Sequence, residues 1–160
     1  MKTRHLVTLL VLAVPVVLLC SNVQADPGTS LTYCTYLGGV SGDHPDDIAI
    51  DRVHHRYVIT GSTVSSDYPT THGVIQESRP HGTPYADAFV SVFDAISHEL
   101  VCSTFLGGWY TEGVQELALD EAGNIYLVGM TNSTDFPVTP DAYDPYNGGW
   151  MQDGFIISLT

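Results

Sequence analysis

Short runs of alternating apolar and polar residues follow one another along the chain from residue 31 to residue 160. The runs are rich in β-branched and aromatic residues, and turn-forming residues such as glycine, proline and asparagine separate them, which is the pattern of strands joined by turns. No part of this region keeps a helical period. The pattern predicts an all-β fold with strands at residues 31–37, 47–51, 56–61, 86–93, 99–106, 114–120, 124–130 and 153–159.

One order of motifs occurs twice along these strands. Each copy contains Leu-Gly-Gly, an apolar-Ala-apolar-Asp tetrapeptide, a Gly-x-Thr, an Asp-aromatic-Pro tripeptide and a closing Asp-x-Phe. The first copy starts with Leu37 and the second with Leu106, and the offset between matched segments falls from 69 to 66 residues, so the insertions lie in loops. A repeat of this length indicates a stacked or radial architecture, in which one unit does not bury its core alone.

The two copies differ at the turn that follows the apolar-Ala-apolar-Asp motif. The second copy has Gly123 and Asn124 there, and both residues accept the left-handed backbone conformation that a tight turn needs. The first copy has no glycine between Asp51 and Arg56. Its turn is therefore expected to be looser or longer.

Together, motifs in this order resemble the SBBP repeat, a bacterial repeat family of seven-bladed β-propellers. The resemblance covers residues 31–160 and is closer in the second copy. It implies that each repeat is one four-stranded antiparallel blade, found in secreted or surface-associated bacterial proteins, and it brings no catalytic motif. The expected organisation is a first repeat at residues 26–98, with its leading outer strand, and a second repeat at residues 99–160.

The phase of the repeat predicts how the blades are completed. The chain begins with the last strand of one blade and ends after the third strand of another, and in closed propellers this offset lets the N-terminal strand seal the ring. Two blades do not close a ring, so we expect the strand at residues 31–37 to complete a blade of another copy in a homo-oligomer. The alternative is that the chain is a truncated relative of a longer propeller.

The first 25 residues have the layout of a secretory signal peptide, with a positively charged start, an apolar run at residues 6–20 and a small-residue cleavage site that ends at Ala25. The run is too short for a membrane span, and Pro15 interrupts it. We therefore expect cleavage after Ala25 and secretion. The alternative is a lipid anchor on Cys20, which the bulky Leu19 before it disfavours.

The chain is strongly acidic, with 5 lysines and arginines against 18 aspartates and glutamates and a net charge of −13. Cleavage would leave only Arg52, Arg56 and Arg79 as basic residues. Nucleic acid is excluded as a partner because phosphate contacts need clustered Lys and Arg. Anionic membrane surfaces are disfavoured for the same reason.

Two thiols remain after the predicted cleavage. Cys34 lies three residues before its Leu-Gly-Gly and Cys102 lies four before its own, so in strands their side chains would point to opposite faces. We expect them to be unbridged and buried as small apolar residues.

Catalytic motifs are missing from the sequence: it has no serine nucleophile elbow, no His-Glu-x-x-His and no phosphate-binding loop. We predict a non-catalytic protein without a cofactor. Asp43, Asp46 and Asp47 form its densest acidic group and are candidate calcium ligands, because calcium prefers oxygen ligands, although a solvated acidic loop is the favoured interpretation. The enzymatic alternative is a polysaccharide hydrolase or lyase that uses Asp43 and Glu112 as paired acids.

Aromatic residues are concentrated in the loops of the second copy, at Trp109, Tyr110, Tyr146 and Trp150. Exposed rings beside polar groups are typical of surfaces that bind carbohydrate or protein, whereas packing between blades is the alternative and the favoured interpretation. The leading functional prediction is a secreted or cell-surface binding or scaffold module. A structural subunit of a larger propeller assembly is the second.

Overall fold

The computed structural model of the protein describes residues 28, 30–80, 84–149 and 151–160. Residues 36–160 form one compact unit. Within the described ranges the secondary structure consists of seven strands and no helix, which confirms the all-β prediction: β1 (Asp43–Asp51), β2 (Arg56–Thr63), β3 (Asp87–Asp94), β4 (Leu100–Leu106), β5 (Glu112–Leu119), β6 (Ile125–Thr131) and β7 (Asp153–Leu159). The predicted signal peptide and the alternative lipid anchor on Cys20 lie outside the described residues.

The strands form two antiparallel sheets, as expected of propeller blades. The first sheet has the order β1-β2-β3-β4, and the second has the order β5-β6-β7. Strand β4 therefore completes the first sheet although it ends at Leu106, the first residue of the second Leu-Gly-Gly motif, as the phase of the repeat predicts. The two sheets do not close into a ring.

The strand predicted at residues 31–37 is not formed: the structure has no strand at residues 30–39. Of the two predicted four-stranded blades, the first is complete, whereas the second has three strands among the described residues, since the chain ends after the third strand of that blade as the phase of the repeat predicts. A strand needs a neighbour, since its backbone N–H and C=O groups cannot pair within it. Strand β7, which the repeat assigns as that neighbour, is the edge of the second sheet.

Side-chain alternation gives each sheet an inner face, which contacts the other sheet, and an outer face. The inner faces bury one shared core, formed by Val58, Ala88, Val90, Val92 and Leu106 of the first sheet and by Val114, Ile125, Leu127 and Phe155 of the second. On the outer face of the first sheet, Tyr68 packs with Phe89 and Phe105 in a separate cluster, with Leu37 and Ile59 against it. Burial of these side chains holds the sheets together.

A β-bulge interrupts the first strand of each sheet at matching places, between Pro45 and Asp47 and between Val114 and Glu116. The bulge breaks the period-two alternation on which the sequence prediction depends. The sequence prediction therefore missed the residues before the first bulge, and β1 begins at Asp43 rather than at residue 47.

The turn of the first copy is not longer, although the sequence predicts a looser or longer one. Four residues lie between the last paired residues of the first hairpin, Asp51 and Arg56, whereas five lie between Leu119 and Ile125. His55 takes the left-handed conformation in the first turn, with a φ of 51°, where glycine is the residue that does so without strain.

Both cysteines are free, in agreement with their difference in phase. Cys102 is partly buried and packs against the shared core. Cys34 is exposed, so the expectation that it is buried is wrong. The reason is that the segment around it forms no strand and belongs to no sheet.

Candidate functional site

A carboxylate at the start of β1 holds the Leu-Gly-Gly loop of the first copy. Asp43 accepts hydrogen bonds from the Gly39 N–H at 2.9 Å, from Thr63 Oγ1 at 2.5 Å and from Ser65 Oγ at 3.0 Å. The next two backbone N–H groups of the loop donate to Asp67 Oδ1 and to Ser65 Oγ, both at 2.9 Å. Three consecutive N–H groups are thereby fixed by three side chains.

The second copy builds the same network with a glutamate in place of the aspartate. Glu112 accepts hydrogen bonds from the Gly108 N–H at 3.0 Å and from Thr131 Oγ1 at 2.7 Å. The next two N–H groups of the loop donate to Asp135 Oδ1 at 2.9 Å and to Ser133 Oγ at 2.7 Å. The structure therefore places both candidate acids, Asp43 and Glu112, in matched positions where each holds a backbone loop of its own copy.

The glycines of the motif are required by this close approach. A Cβ atom on Gly108 would lie 2.5 Å from the Ser133 Cβ and 2.6 Å from Asp135 Oδ1. A Cβ on Gly107 would lie 2.7 Å from Asp87 Oδ1. The absence of a side chain lets the carboxylates reach the backbone.

Glu112 is only 1% exposed. Burial raises the pKa of its carboxyl, because the charged form loses its hydration; hydrogen bonds from Ser133, Thr131 and Gly108 act in the opposite direction, and the nearby charge of Asp87 raises the pKa further.

Asp87 forms a buried ion pair that the sequence did not indicate. The Arg79 Nε donates to Asp87 Oδ2 at 2.7 Å, and the two side chains are 5% and 1% exposed. The same guanidinium donates to the carbonyl of Val64 at 3.0 Å and to that of Tyr85. Arg79 lies in the long loop between β2 and β3, where no local pattern identifies its partner.

A second polar group joins the two sheets at the other end of the strands. Asp51 accepts hydrogen bonds from His54 Nδ1 at 2.8 Å and from Arg56 Nε at 3.0 Å, and Arg56 also donates to the carbonyl of Gly123 in the turn between β5 and β6. The backbone N–H of His54, followed by the side chains of Arg56 and His54, lowers the pKa of the Asp51 carboxyl. The sequence does not predict this polar group either, because Gly123 takes part in it only through its backbone carbonyl.

The three calcium candidates have different surroundings. Asp43 binds the loop described above, whereas Asp47 Oδ2 accepts a hydrogen bond from the Leu117 N–H of the second sheet at 2.9 Å. Asp46 lines an open recess together with Glu116 and other residues of β5 and β6. Among the residues that the structure describes, no group of three or more His, Cys, Asp or Glu is arranged to hold a metal. A calcium site stays a prediction.

Three of the four candidate aromatic residues lie at the loop end of the second sheet. Trp109 and Tyr110 directly follow Gly108 and are exposed. Their backbone N–H groups are the ones bound by Asp135 and Ser133, so the fixed loop also fixes the point from which both rings project.

Tyr146 belongs to the neighbouring loop and is exposed as well. The adjacent Asn147 donates to the carbonyl of Ser133 at 3.1 Å, so this loop is held by the same serine that binds Tyr110. The Tyr110 ring meets the Tyr85 ring edge-on with 5.3 Å between centroids. The remaining candidate, Trp150, lies outside the described residues.

The two antiparallel sheets share one core, and each has the same hydrogen-bonded loop before its first strand. This is the arrangement expected of propeller blades, and the comparison of the sequence with family models agrees. Residues 114–137 match the SBBP beta-propeller repeat. The matched segment contains β6, most of β5 and the Thr131, Ser133 and Asp135 side chains of the network. The predicted propeller repeat is thus confirmed for the second copy.

The first copy lies outside the matched residues, and its likeness to the propeller repeat rests on the strands and hydrogen bonds that it shares with the second copy. Comparison with the curated proteins and with the solved structures gives no match. No helix in the described part of the chain is long and apolar enough to cross a membrane.

Proposed function

We propose that the chain is a non-catalytic, secreted binding or scaffold module of the propeller type, which contacts its ligand through the loop end that carries Trp109, Tyr110 and Tyr146. One observation carries the proposal: both copies use their candidate acid to hold the loop from which the second copy projects exposed aromatic rings. A hydrolase needs its paired acids free to act on substrate.

The fixed loop favours binding. Hydrogen bonds to three consecutive N–H groups hold the backbone of Trp109 and Tyr110 before any ligand arrives, so little conformational entropy is lost on binding. Aromatic rings supply a large contact area at low entropic cost.

The charge of this surface limits the class of ligand. Residues 99–160 contain no lysine, arginine or histidine, whereas the loop that carries Tyr146 includes Asp135, Asp141 and Asp144. An anionic ligand would find no cationic partner there. The ligand classes that fit are a neutral carbohydrate and an uncharged or basic protein segment.

The test is a glycan array and a protein-binding screen, followed by calorimetric titration of the hits with the Trp109→Ala variant. Loss of a ring at the centre of a contact surface is expected to weaken binding about 30-fold. Val40→Ala is the matched control, because Val40 is exposed and occupies the position of Trp109 in the first copy. Equal affinity in both variants would contradict the assignment of the surface.

A polysaccharide assay tests the non-catalytic part of the proposal. Turnover that disappears in both Asp43→Asn and Glu112→Gln while each variant stays folded would favour the enzymatic alternative.

Export is supported by the layout of residues 1–25. N-terminal sequencing of protein from the culture medium should find Asp26 as the first residue, and retention of residues 1–25 would oppose it.

A structural role in a larger propeller assembly is the second candidate, and the open edge of the second sheet favours it.

A further inference from the structure

The first sheet shows what a completed blade of this repeat looks like. Its fourth strand, β4, pairs with β3 and places Phe105 opposite Phe89. The Phe105 ring then joins the rings of Tyr68 and Phe89. The centroid of the Tyr68 ring is 6.0 Å from that of Phe105 and 4.4 Å from that of Phe89. All three rings are buried.

The second sheet contains two of the three rings of the corresponding cluster. Phe136 and Phe155 correspond to Tyr68 and Phe89 in the repeat, and their rings stack with 4.6 Å between centroids. The repeat assigns the third ring to Tyr36, which stands before its Leu-Gly-Gly as Phe105 does. Tyr36 is 99% exposed in this structure.

The segment that contains Tyr36 enters the first sheet on the side away from the second sheet. Leu37 packs against the cluster on the outer face of the first sheet, formed by Tyr68, Phe89 and Phe105. The second sheet packs on the inner face. The β7 edge that matches residues 31–37 is therefore best reached in a neighbouring molecule.

The exposed outer faces support the same neighbour. Ile156 of the second sheet is 82% exposed, whereas Val90, its counterpart in the first sheet, is 2% exposed because the second sheet covers it. Ile48 and Ile50 on the outer face of the first sheet are also exposed, whereas their counterparts Leu117 and Leu119 pack against the shared core. Stacking one molecule on the next would repeat the interface already present within the chain.

We propose that a second copy of this chain supplies its residues 31–37 as the fourth strand of the second sheet, in a head-to-tail contact. The register follows from the pairing of β3 with β4: Leu37 lies opposite Gly154, Tyr36 opposite Phe155 and Cys34 opposite Ile157. The partner's Tyr36 completes the ring cluster, and its strand satisfies the edge of β7. The contact is heterologous, so further copies add in the same direction.

The predicted register can be trapped by a disulfide. In the first sheet the side chains at the positions that correspond to Ile157 and Cys34 are Ser91 and Ser103, whose Oγ atoms are 2.8 Å apart. Cysteines at such a pair are close enough to bridge. In a chain that keeps Cys34 and has Cys20 and Cys102 changed to serine, Ile157→Cys should give disulfide-linked dimers and larger species on a non-reducing gel.

Ile156→Cys is the matched control, because residue 156 projects to the opposite face of β7 and should not reach Cys34. Equal crosslinking in the two variants would overturn the register. A fast-migrating monomer with an internal bridge would overturn the exchange between copies and show that the chain fills its own edge.

Light scattering supplies a test that does not depend on folding of the cysteine variants. The wild-type chain should give masses of two or more chains, and Tyr36→Ala should raise the concentration of half-association about tenfold or more. Tyr143→Ala removes an equally exposed ring and should change nothing. A wild type that stays monomeric would overturn the proposal.

The proposal rests on the chain being a non-catalytic propeller module, but the two fail separately. A monomeric chain that still binds its ligand through Trp109 would refute only the strand exchange. Polysaccharide turnover by an associated chain would refute only the proposed function.

Discussion

Replacing Gly108 by alanine tests whether the carboxylate loops stabilise the fold. The added Cβ would lie 2.5 Å from the Ser133 Cβ, 2.6 Å from Asp135 Oδ1 and 2.9 Å from Ser133 Oγ, which is closer than such atoms approach one another in proteins. The loop must move, and overpacking of this kind costs about 1–3 kcal/mol. Movement also weakens the three N–H bonds of the loop, each of which contributes about 0.5–1.5 kcal/mol.

If one or two of these bonds are lost, the free energy of unfolding should fall by about 1.5–6 kcal/mol, a large part of the roughly 5–15 kcal/mol of a typical domain. Urea denaturation followed by circular dichroism measures this change as a lower midpoint. Gly39→Ala should cost a similar amount, because a Cβ there meets Ser65 and Asp67 in the same way.

Gly113→Ala is the matched control in the neighbouring strand. A Cβ on Gly113 meets no atom within 4 Å, so the variant should be unchanged or gain about 0.4–1 kcal/mol through the lower entropy of its unfolded chain. If Gly108→Ala lies within about 0.5 kcal/mol of wild type, which is the usual range for a surface substitution, the loop network does not stabilise the fold. Equal losses in both variants would refute the steric reasoning as well.

Three further predictions concern charged groups. Arg79→Met leaves Asp87 buried without its ion-pair partner, so the free energy of unfolding should fall by about 3–5 kcal/mol in the same denaturation assay, and a loss below 1 kcal/mol would contradict a buried pair. Burial raises the pKa of Glu112 above 4.5, so the stability of wild type relative to Glu112→Gln should fall as pH rises from about 4.5 through the raised pKa; a difference that stays constant between pH 4 and pH 8 would refute this. Millimolar calcium should leave the melting temperature unchanged, and an increase that Asp46→Ala abolishes would instead support the calcium site.

The strands were predictable because side-chain alternation is a local signal, and the phase of the repeat then grouped them correctly into two sheets. Residues 31–37 show where local pattern fails. They alternate like the residues of β4, but a strand forms only where a neighbour accepts its backbone hydrogen bonds, and that neighbour is not encoded in the segment itself.

The sequence contains a signal for the loop networks in the spacing of residues, which an analysis of acidic composition does not detect. The spacing Thr-x-Ser-x-Asp occurs at residues 63–67 and again at residues 131–135, and an acid follows the second glycine of each Leu-Gly-Gly by four residues. Aligning these positions predicts that Asp43 and Glu112 are equivalent, whereas judging Asp43 by its acidic neighbours suggested a metal site. The partnership of Arg79 with Asp87 was not predictable although the two residues are only eight positions apart, because the loop that carries Arg79 has no period from which the position of its side chain follows.

The open edge and the fixed loop are two ends of one connection. Within the chain, Gly107 and Gly108 lead from β4 of the first sheet to β5 of the second, and Glu112 and Asp135 hold that crossing in place. The first copy holds the corresponding loop with the same three N–H bonds, although residues 30–39 form no strand. Two separate observations meet here. The first loop is held by three side chains although no strand precedes it, and the ring cluster at the edge of the second sheet has no third ring of the kind that residues 31–37 carry. Each requires what the other provides, so disrupting the first loop with Gly39→Ala should weaken association as well as stability, whereas Gly108→Ala, whose loop joins two sheets of one chain, should affect mainly stability.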